Sequence, residues 1–402
     1  MPLFEYVAKD RTGNTINDVF EAPERQMALD KLRSQNLIVI SLKEKSAALK
    51  RMAGIGGRVK LDDIAVFSRQ LATLVDSGIP ILEGLDVLYQ QTENKSFREA
   101  LRRVRDGVET GLSLSAAFAK HPKVFSPLYV SMVRAGESSG MLDEILDRLA
   151  VYLEKTAALQ RKIKAALVYP GVVSGMALAI TAVLFIKVVP VFREVFAGFA
   201  IDLPTPTRIM IAISDLFKQY FLIWLISMGI LGFLVKRFAS TNKGRFLFDG
   251  ILLKLPVFGI LFTKVAISKF ARTLSTLLKS GVPILACLDI VSKTCGNRVF
   301  EVAIIAAHDG IKEGESISAP LAKSKVFPPM VVKMVAIGEK SGEIEKMLGK
   351  IADFYDEQVD AAVTALTSLI EPLIIAFLGI LIGTIVICMF LPIFQMSSLV
   401  NV

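Results

Sequence analysis

The chain has 402 residues, 47 Lys and Arg against 38 Asp and Glu for a formal charge of +9, a mean hydropathy of +0.53 and 53% apolar residues. So apolar a composition does not suit a soluble protein of this size, and the excess must lie in a membrane. Cys287, Cys295 and Cys388, with His121 and His308, fit no zinc or redox spacing, so the cysteines read as reduced, buried small side chains.

Met1 to Asp10 lacks a basic start followed by an apolar run, so no signal peptide is expected there. Phe4 to Ala8 alternates apolar and polar, Lys9 to Asn14 supplies a turn, and Thr15 to Glu21 resumes strand-like composition. With an amphipathic helix over Pro23 to Ser34 and a third strand over Leu37 to Leu42, residues 1–43 predict a small ββαβ unit. Residues 44–60 are basic and contain Gly54, Gly56 and Gly57, as a flexible linker would.

Phe67 to Leu88 (FSRQLATLVDSGIPILEGLDVL) returns 203 residues later as Phe270 to Val291 (FARTLSTLLKSGVPILACLDIV), identical at 12 of 22 positions. Val133 to Leu142 answers Val335 to Ile344 in the same way, so the chain is an internal duplication. Asp62 is expected to cap the first helix, Gly78 to end it and Pro80 to open the second, with Gly281 and Pro283 repeating that turn. Asn94 caps a third helix carrying Arg102, Arg103 and Arg105, and Ser113 a fourth. A fifth runs from Pro127 to Gly136 and a sixth from about Met141 to Lys164. Gly136-Glu137-Ser138-Ser139-Gly140 and Gly338-Glu339-Lys340-Ser341-Gly342 lack the phosphate-loop pattern and read as tight turns between helices.

Uncharged stretches cover Ala165 to Ile186, Gln219 to Val235 and Pro372 to the end of the sequence, each a candidate span. The fold class is therefore an all-α integral membrane protein with two homologous six-helix cytoplasmic bundles, three transmembrane helices and the ββαβ unit. The expected order is a first bundle over 61–165, a span over 166–190, a short outer segment over 191–216 and a second span over 217–235. A second bundle over 236–368, a third span over 369–394 and an outer tail over 395–402 complete it. Lys155, Arg161, Lys162 and Lys164 before the first span, with Lys236, Arg237, Lys243 and Arg245 after the second, put both bundles inside.

Few residues offer chemistry. Glu137, Asp143 and Glu144 are candidates for calcium, although without EF-hand spacing; solvated charges at a helix start are the alternative. Glu371 borders the third span and could contact headgroups or, in an ion-coupled transporter, relay protons; Lys187 can snorkel. Arg102, Arg103 and Arg105 form the candidate surface for an acidic partner, and without interleaved aromatics no nucleic acid is expected. No nucleophile pairs with a base, so neither enzyme nor cofactor is expected.

The Phe4, Tyr6, Ala8, Asp10, Gly13 pattern, the Ser-Gly-x-Pro turns at Ser77 to Pro80 and Ser280 to Pro283, the two Gly-Glu-x-Ser-Gly motifs and the three spans resemble one family over nearly the whole chain. It is the inner-membrane platform family of type II secretion system F proteins and type IV pilus assembly PilC proteins. The resemblance implies a non-enzymatic, oligomeric platform in the bacterial inner membrane, with the N-terminus cytoplasmic and the C-terminus periplasmic. It implies as partners a hexameric secretion ATPase, pilin or pseudopilin subunits and other inner-membrane components. Some members bind calcium in the first bundle, but no ligand carries over by position. A small ion-coupled membrane transporter is the alternative.

Overall fold

The computed structural model describes residues 3–9, 15–21, 26, 27, 29, 38–45, 58–197, 204–256 and 258–400. Strands β1 (Leu3–Lys9), β2 (Thr15–Glu21) and β3 (Ile38–Lys45) form an antiparallel sheet in the order β2-β1-β3. Leu3 pairs with Glu21 on one side and Lys45 on the other. β3 therefore runs to Lys45, beyond the expected boundary at 43, because its partner β1 continues to Leu3 at that end. Of the helix expected over Pro23 to Ser34 only residues 26, 27 and 29 are described, all helical, and most of the linker lies outside the described residues.

Among the described residues after the linker, every regular element is a helix. The helices are α1 (Leu61–Asp76), α2 (Ile81–Gln91), α3 (Lys95–Glu109), α4 (Leu114–Ala119), α5 (Pro127–Ser139), α6 (Leu142–Val183), α7 (Val189–Ala197) and α8 (Thr205–Ala239). They continue as α9 (Asn242–Lys254), α10 (Phe258–Lys279), α11 (Ile284–Thr294), α12 (Arg298–Lys312), α13 (Ser318–Lys323), α14 (Pro329–Ser341) and α15 (Ile344–Val400). The chain forms two compact units, Met1–Phe125 and Ser126–Val402, so the division falls inside the first repeat.

In the first unit, α1 buries Ile64, Phe67 and Leu71, recurring at helical spacing, with Leu85 from α2 and Leu101 and Val104 from α3. Phe67 meets Phe97 edge-on at 5.4 Å between ring centroids, and Phe118 and Phe125 close the cluster at 4.4 Å. The first cap sits two residues earlier than expected. Lys60 is the cap, and its N–H donates to Asp63 Oδ2 at 3.1 Å, so Asp62 is one residue into the helix. Asn94 and Ser113 cap α3 and α4 as expected, accepting from Phe97 N–H and Ala116 N–H.

In the second unit, Phe270 and Phe300 meet Phe327 at 4.8 and 5.2 Å, the counterparts of Phe67, Phe97 and Phe125. Leu321 stands where the first repeat has Phe118, and both are fully buried. Among the described residues, two single helical stretches are long and apolar enough to cross a membrane, Leu142–Phe192 and Ile344–Pro392. At about 1.5 Å per residue, the 42 residues of α6 and the 57 of α15 run roughly 60 and 85 Å. Pro170 and Pro372 interrupt neither.

The two expected outer segments are helical over their described residues. Residues 191–216 hold the end of α7 and the start of α8, which Pro204 and Pro206 fix as a helix N-terminus. The tail from 395 continues α15 to Val400, since no proline or glycine stops it there. At the far end of α6 a π-helical turn, Leu184–Val188, releases a carbonyl: Ser214 Oγ of α8 donates to Phe185 O at 2.5 Å, and Thr207 Oγ1 donates to Cys388 O of α15 at 2.5 Å.

The two Gly-Glu-x-Ser-Gly motifs are not turns throughout. Gly136 and Gly338 lie inside α5 and α14, and the chain reverses only at Gly140 and Gly342, whose φ of +73° and +72° suits glycine. The earlier glycines serve close packing: a Cβ at Gly338 would lie 2.8 Å from Ile344 Cα, and one at Gly136 would lie 3.1 Å from Ile145 Cβ. Gly338→Ala is expected to lower stability by about 1–3 kcal/mol and Gly136→Ala by less, because the former meets backbone at 2.8 Å and the latter at 3.2 Å, from Leu142 Cα. Thermal unfolding of the detergent-solubilised protein measures both; equal midpoints would remove this role.

Candidate functional surfaces: a helix seam and an arginine face

The second unit contains a seam along which α6 packs on α10 and α15. From α6 it uses Arg148, Tyr152, Lys155, Leu159 and Lys162, spaced by alternating steps of four and three, the period of helices that stay in register over several turns. Tyr152 Oη lies 3.1 Å from Thr273 Oγ1, and Arg148 donates to the carbonyl of Lys279. Leu159 and Ile163 pack against a buried apolar core of Leu261, Val359, Val363 and Leu366.

Charge runs beside this core. Lys155 Nζ is 3.5 Å from Asp353 and Lys162 Nζ is 2.5 Å from Asp360, so two lysines seven residues apart meet two aspartates seven residues apart. Arg272 on α10, with only 14% of its side chain exposed, reaches Asp353 at 3.2 Å and also pairs with Asp356, which accepts from Ser268 Oγ. The lysine pairs are half exposed and each contributes about 0–1 kcal/mol. Their contribution is registry. The sequence carries the signal as a basic and an acidic row of matching period, which attention to Lys155 and Lys162 as topology markers alone passes over.

The arginine face of α3 is balanced rather than bare. Glu99 accepts from Arg102 at 3.0 Å and from Arg103 at 2.9 Å, while Arg105 reaches Asp86 at 3.2 Å and Asp106 at 3.2 Å. The Arg102 hydrogen bond holds the Glu99 carboxyl below its ordinary range. Each of the three guanidinium groups therefore has a carboxylate of the same unit beside it.

Glu137, Asp143 and Glu144 do not gather as ligands. The turn at Gly140 separates Glu137 from the others, Asp143 and Glu144 are consecutive on a helix, and Glu144 is taken by Arg148. No acidic, histidine or cysteine group among the described residues is arranged to hold a metal, so the donors do not fit calcium. Glu339, the counterpart of Glu137, accepts from Ile317 N–H at 2.7 Å and from Ser318 N–H at 3.4 Å, so it caps α13. Glu371 is exposed on α15 beside Pro372. Gly78 and Gly281 are left-handed, and Pro80 and Pro283 sit at the caps of α2 and α11. Cys287 is buried, and burial pushes its thiol up to about 12, far from reactivity.

Residues 67–190 and 270–392 match the sequence pattern of the type II secretion system (T2SS), protein F, and residues 1–43 match its N-terminal domain. The chain is 44% identical to the type IV pilus assembly protein PilC of Thermus thermophilus, covering all of both chains. It is 42% identical to PilC of Myxococcus xanthus, over 99% of this chain and 96% of that one. It is 33% identical to the type II secretion system protein F of Vibrio cholerae, again over both full lengths.

A depressed carboxyl stabilises the fold above its unfolded pKa, near 4.3, and that contribution is lost as pH falls through the lower folded value. Nuclear magnetic resonance titration should therefore place Glu99 below an ordinary glutamate, and Arg102→Ala should return it upward. A midpoint unmoved by that substitution would sink this assignment.

Proposed function

Because the chain belongs to the type II secretion system protein F family, we propose that it is the inner-membrane platform of a type IV pilus or type II secretion machine, coupling a cytoplasmic ATPase to pilin or pseudopilin assembly. One observation carries the reading: α6 and α15 each run without a break from a packed helical domain into an apolar stretch, and the seam makes them one body. A displacement imposed on the domains would reach the bilayer through stiff rods. Family membership and the apolar helices make it an inner-membrane protein.

Three spans complete the reading. α8 supplies the second, with Trp224, Met228, Leu231 and Phe233 all exposed along one 35-residue helix. The lysines and arginines flanking α6 and α8 support a topology with the N-terminal unit and both repeats in the cytoplasm and with the connection after the first span and the C-terminus outside. The partners are the hexameric ATPase, pilin-like subunits, other inner-membrane components and further copies of the chain. A transporter would need spans broken around midplane polar groups; α6 and α15 are continuous, and this favours the platform.

The seam offers the direct test. Lys155→Glu with Lys162→Glu should reduce piliation or secretion in the parent cell severalfold, and adding Asp360→Lys, which answers position 162, should restore part of it, Asp353 being left because Arg272 also uses it. Activity that ignores the first pair of changes would overturn the seam as the coupling element. For the arginine face, Arg102→Glu with Arg103→Glu should weaken copurification of the ATPase, with a loss that deepens as salt is lowered. Unchanged recovery removes these residues from the partner surface.

A further inference from the structure

The short helix α9 joins the second span to the second repeat, and its two faces differ. One face belongs to the protein: Asp249 Oδ2 accepts from Arg298 N–H at 2.7 Å, capping α12, and Gly250 lies against Val299. The other face, Leu247 and Ile251 one turn apart with Phe248 beside them, is exposed, Ile251 by 62%, and exposed Leu255 follows at the C-cap. Exposed Arg245 and Lys254 stand at the ends of this stripe. A helix face turned to water would carry charges where this one carries only leucine, isoleucine and phenylalanine.

The position of α9 names what covers that face. Only Ser240 and Thr241 separate it from α8, and the junction is tight: Thr241 Oγ1 donates to Phe238 O at 2.7 Å and accepts from Gly244 N–H at 3.1 Å. A Cβ at Gly244 would sit 2.0 Å from Phe238 O, so no other residue fits without moving the backbone. The corner into α10 is equally close, with a Cβ at Gly259 falling 2.2 Å from Leu253 O. α9 is thus a braced strut at the inner end of a span, where basic residues cluster.

We infer that α9 lies in the plane of the inner leaflet, its Leu247, Phe248, Ile251 and Leu255 face sunk to the boundary of headgroups and acyl chains and its Arg245 and Lys254 among anionic headgroups. This holds the N-terminus of α12 against the membrane surface, so the second repeat is fixed at the bilayer by α9 as well as by α15. The inference rests on α8 being a span.

Nitroxides attached at Leu247→Cys and Ile251→Cys in the full chain, reconstituted into phosphatidylethanolamine and phosphatidylglycerol vesicles, report depth by collision with oxygen or with a water-soluble nickel chelate. Leu231→Cys on α8 and Lys312→Cys at the far end of α12 are the references. Oxygen collisions should exceed nickel collisions at 231, 247 and 251, with the order reversed at 312. Nickel dominance at 247 and 251 with oxygen dominance at 231 would overturn the inference and leave the span intact. Exclusion of both reagents at 247 and 251 would show a protein cover and overturn it equally. Nickel dominance at 231 would instead remove the span, and the inference with it.

Discussion

A backbone that enters hydrocarbon has to satisfy its own hydrogen bonds, and the second unit is built around that requirement. α6 and α15 meet it by staying helical from the packed helical region through the apolar stretches, and the duplicated prolines Pro170 and Pro372 are accommodated inside them. Each proline removes one amide donor and bends the helix locally, but neither divides it. Where the helix does loosen, at Leu184–Val188, the hydroxyl of Ser214 answers the Phe185 carbonyl from the neighbouring helix. Continuity of two rods is therefore imposed by the solvent, and the platform reading exploits it.

Keeping two such rods side by side needs attraction and registry, which different residues supply. Burial of Val359, Val363, Leu366 and Leu261 contributes about 1.5–3 kcal/mol for each side chain, and half-exposed ion pairs contribute about 0–1. Apolar contact decides that the helices associate. The Lys155–Asp353 and Lys162–Asp360 pairs, one heptad apart, decide at which step, since sliding by one turn would set Lys155 away from Asp353 while the apolar stripe could still close.

Much of this was legible in the sequence because duplication marks equivalent positions twice. The glycine and proline turns at Gly78, Pro80, Gly281 and Pro283, the caps at Asn94 and Ser113 and the long apolar helices follow from local rules that tertiary packing leaves intact. The misses share one cause. Gly136 and Gly338 read as turns because glycine is a helix breaker locally, whereas their use is close approach to Ile145 and Ile344. Arg102, Arg103 and Arg105 are marked by the sequence as a basic face, and the carboxylates that meet them, Glu99 and Asp86 among them, are assigned only by geometry.

The two copies also show where a shared fold stops dictating use. Thr273, which meets Tyr152, corresponds to Gln70, which lines an open cavity of about 320 Å³ with Asp62, Asp63 and Glu93. Lys269, whose ammonium burial drives toward the neutral form, corresponds to Val66, which is 58% exposed. The inner-facing positions, Phe67 with Phe270 and Phe97 with Phe300, stayed the same because a packed core punishes any change of shape. Divergence enters the core at single positions, as where Phe118 answers Leu321, and it also changes the outward faces of α1 and α10. One of those faces holds a helix of the same chain, and a duplicated domain whose copies differ in what they hold on the outside is suited to joining unlike things.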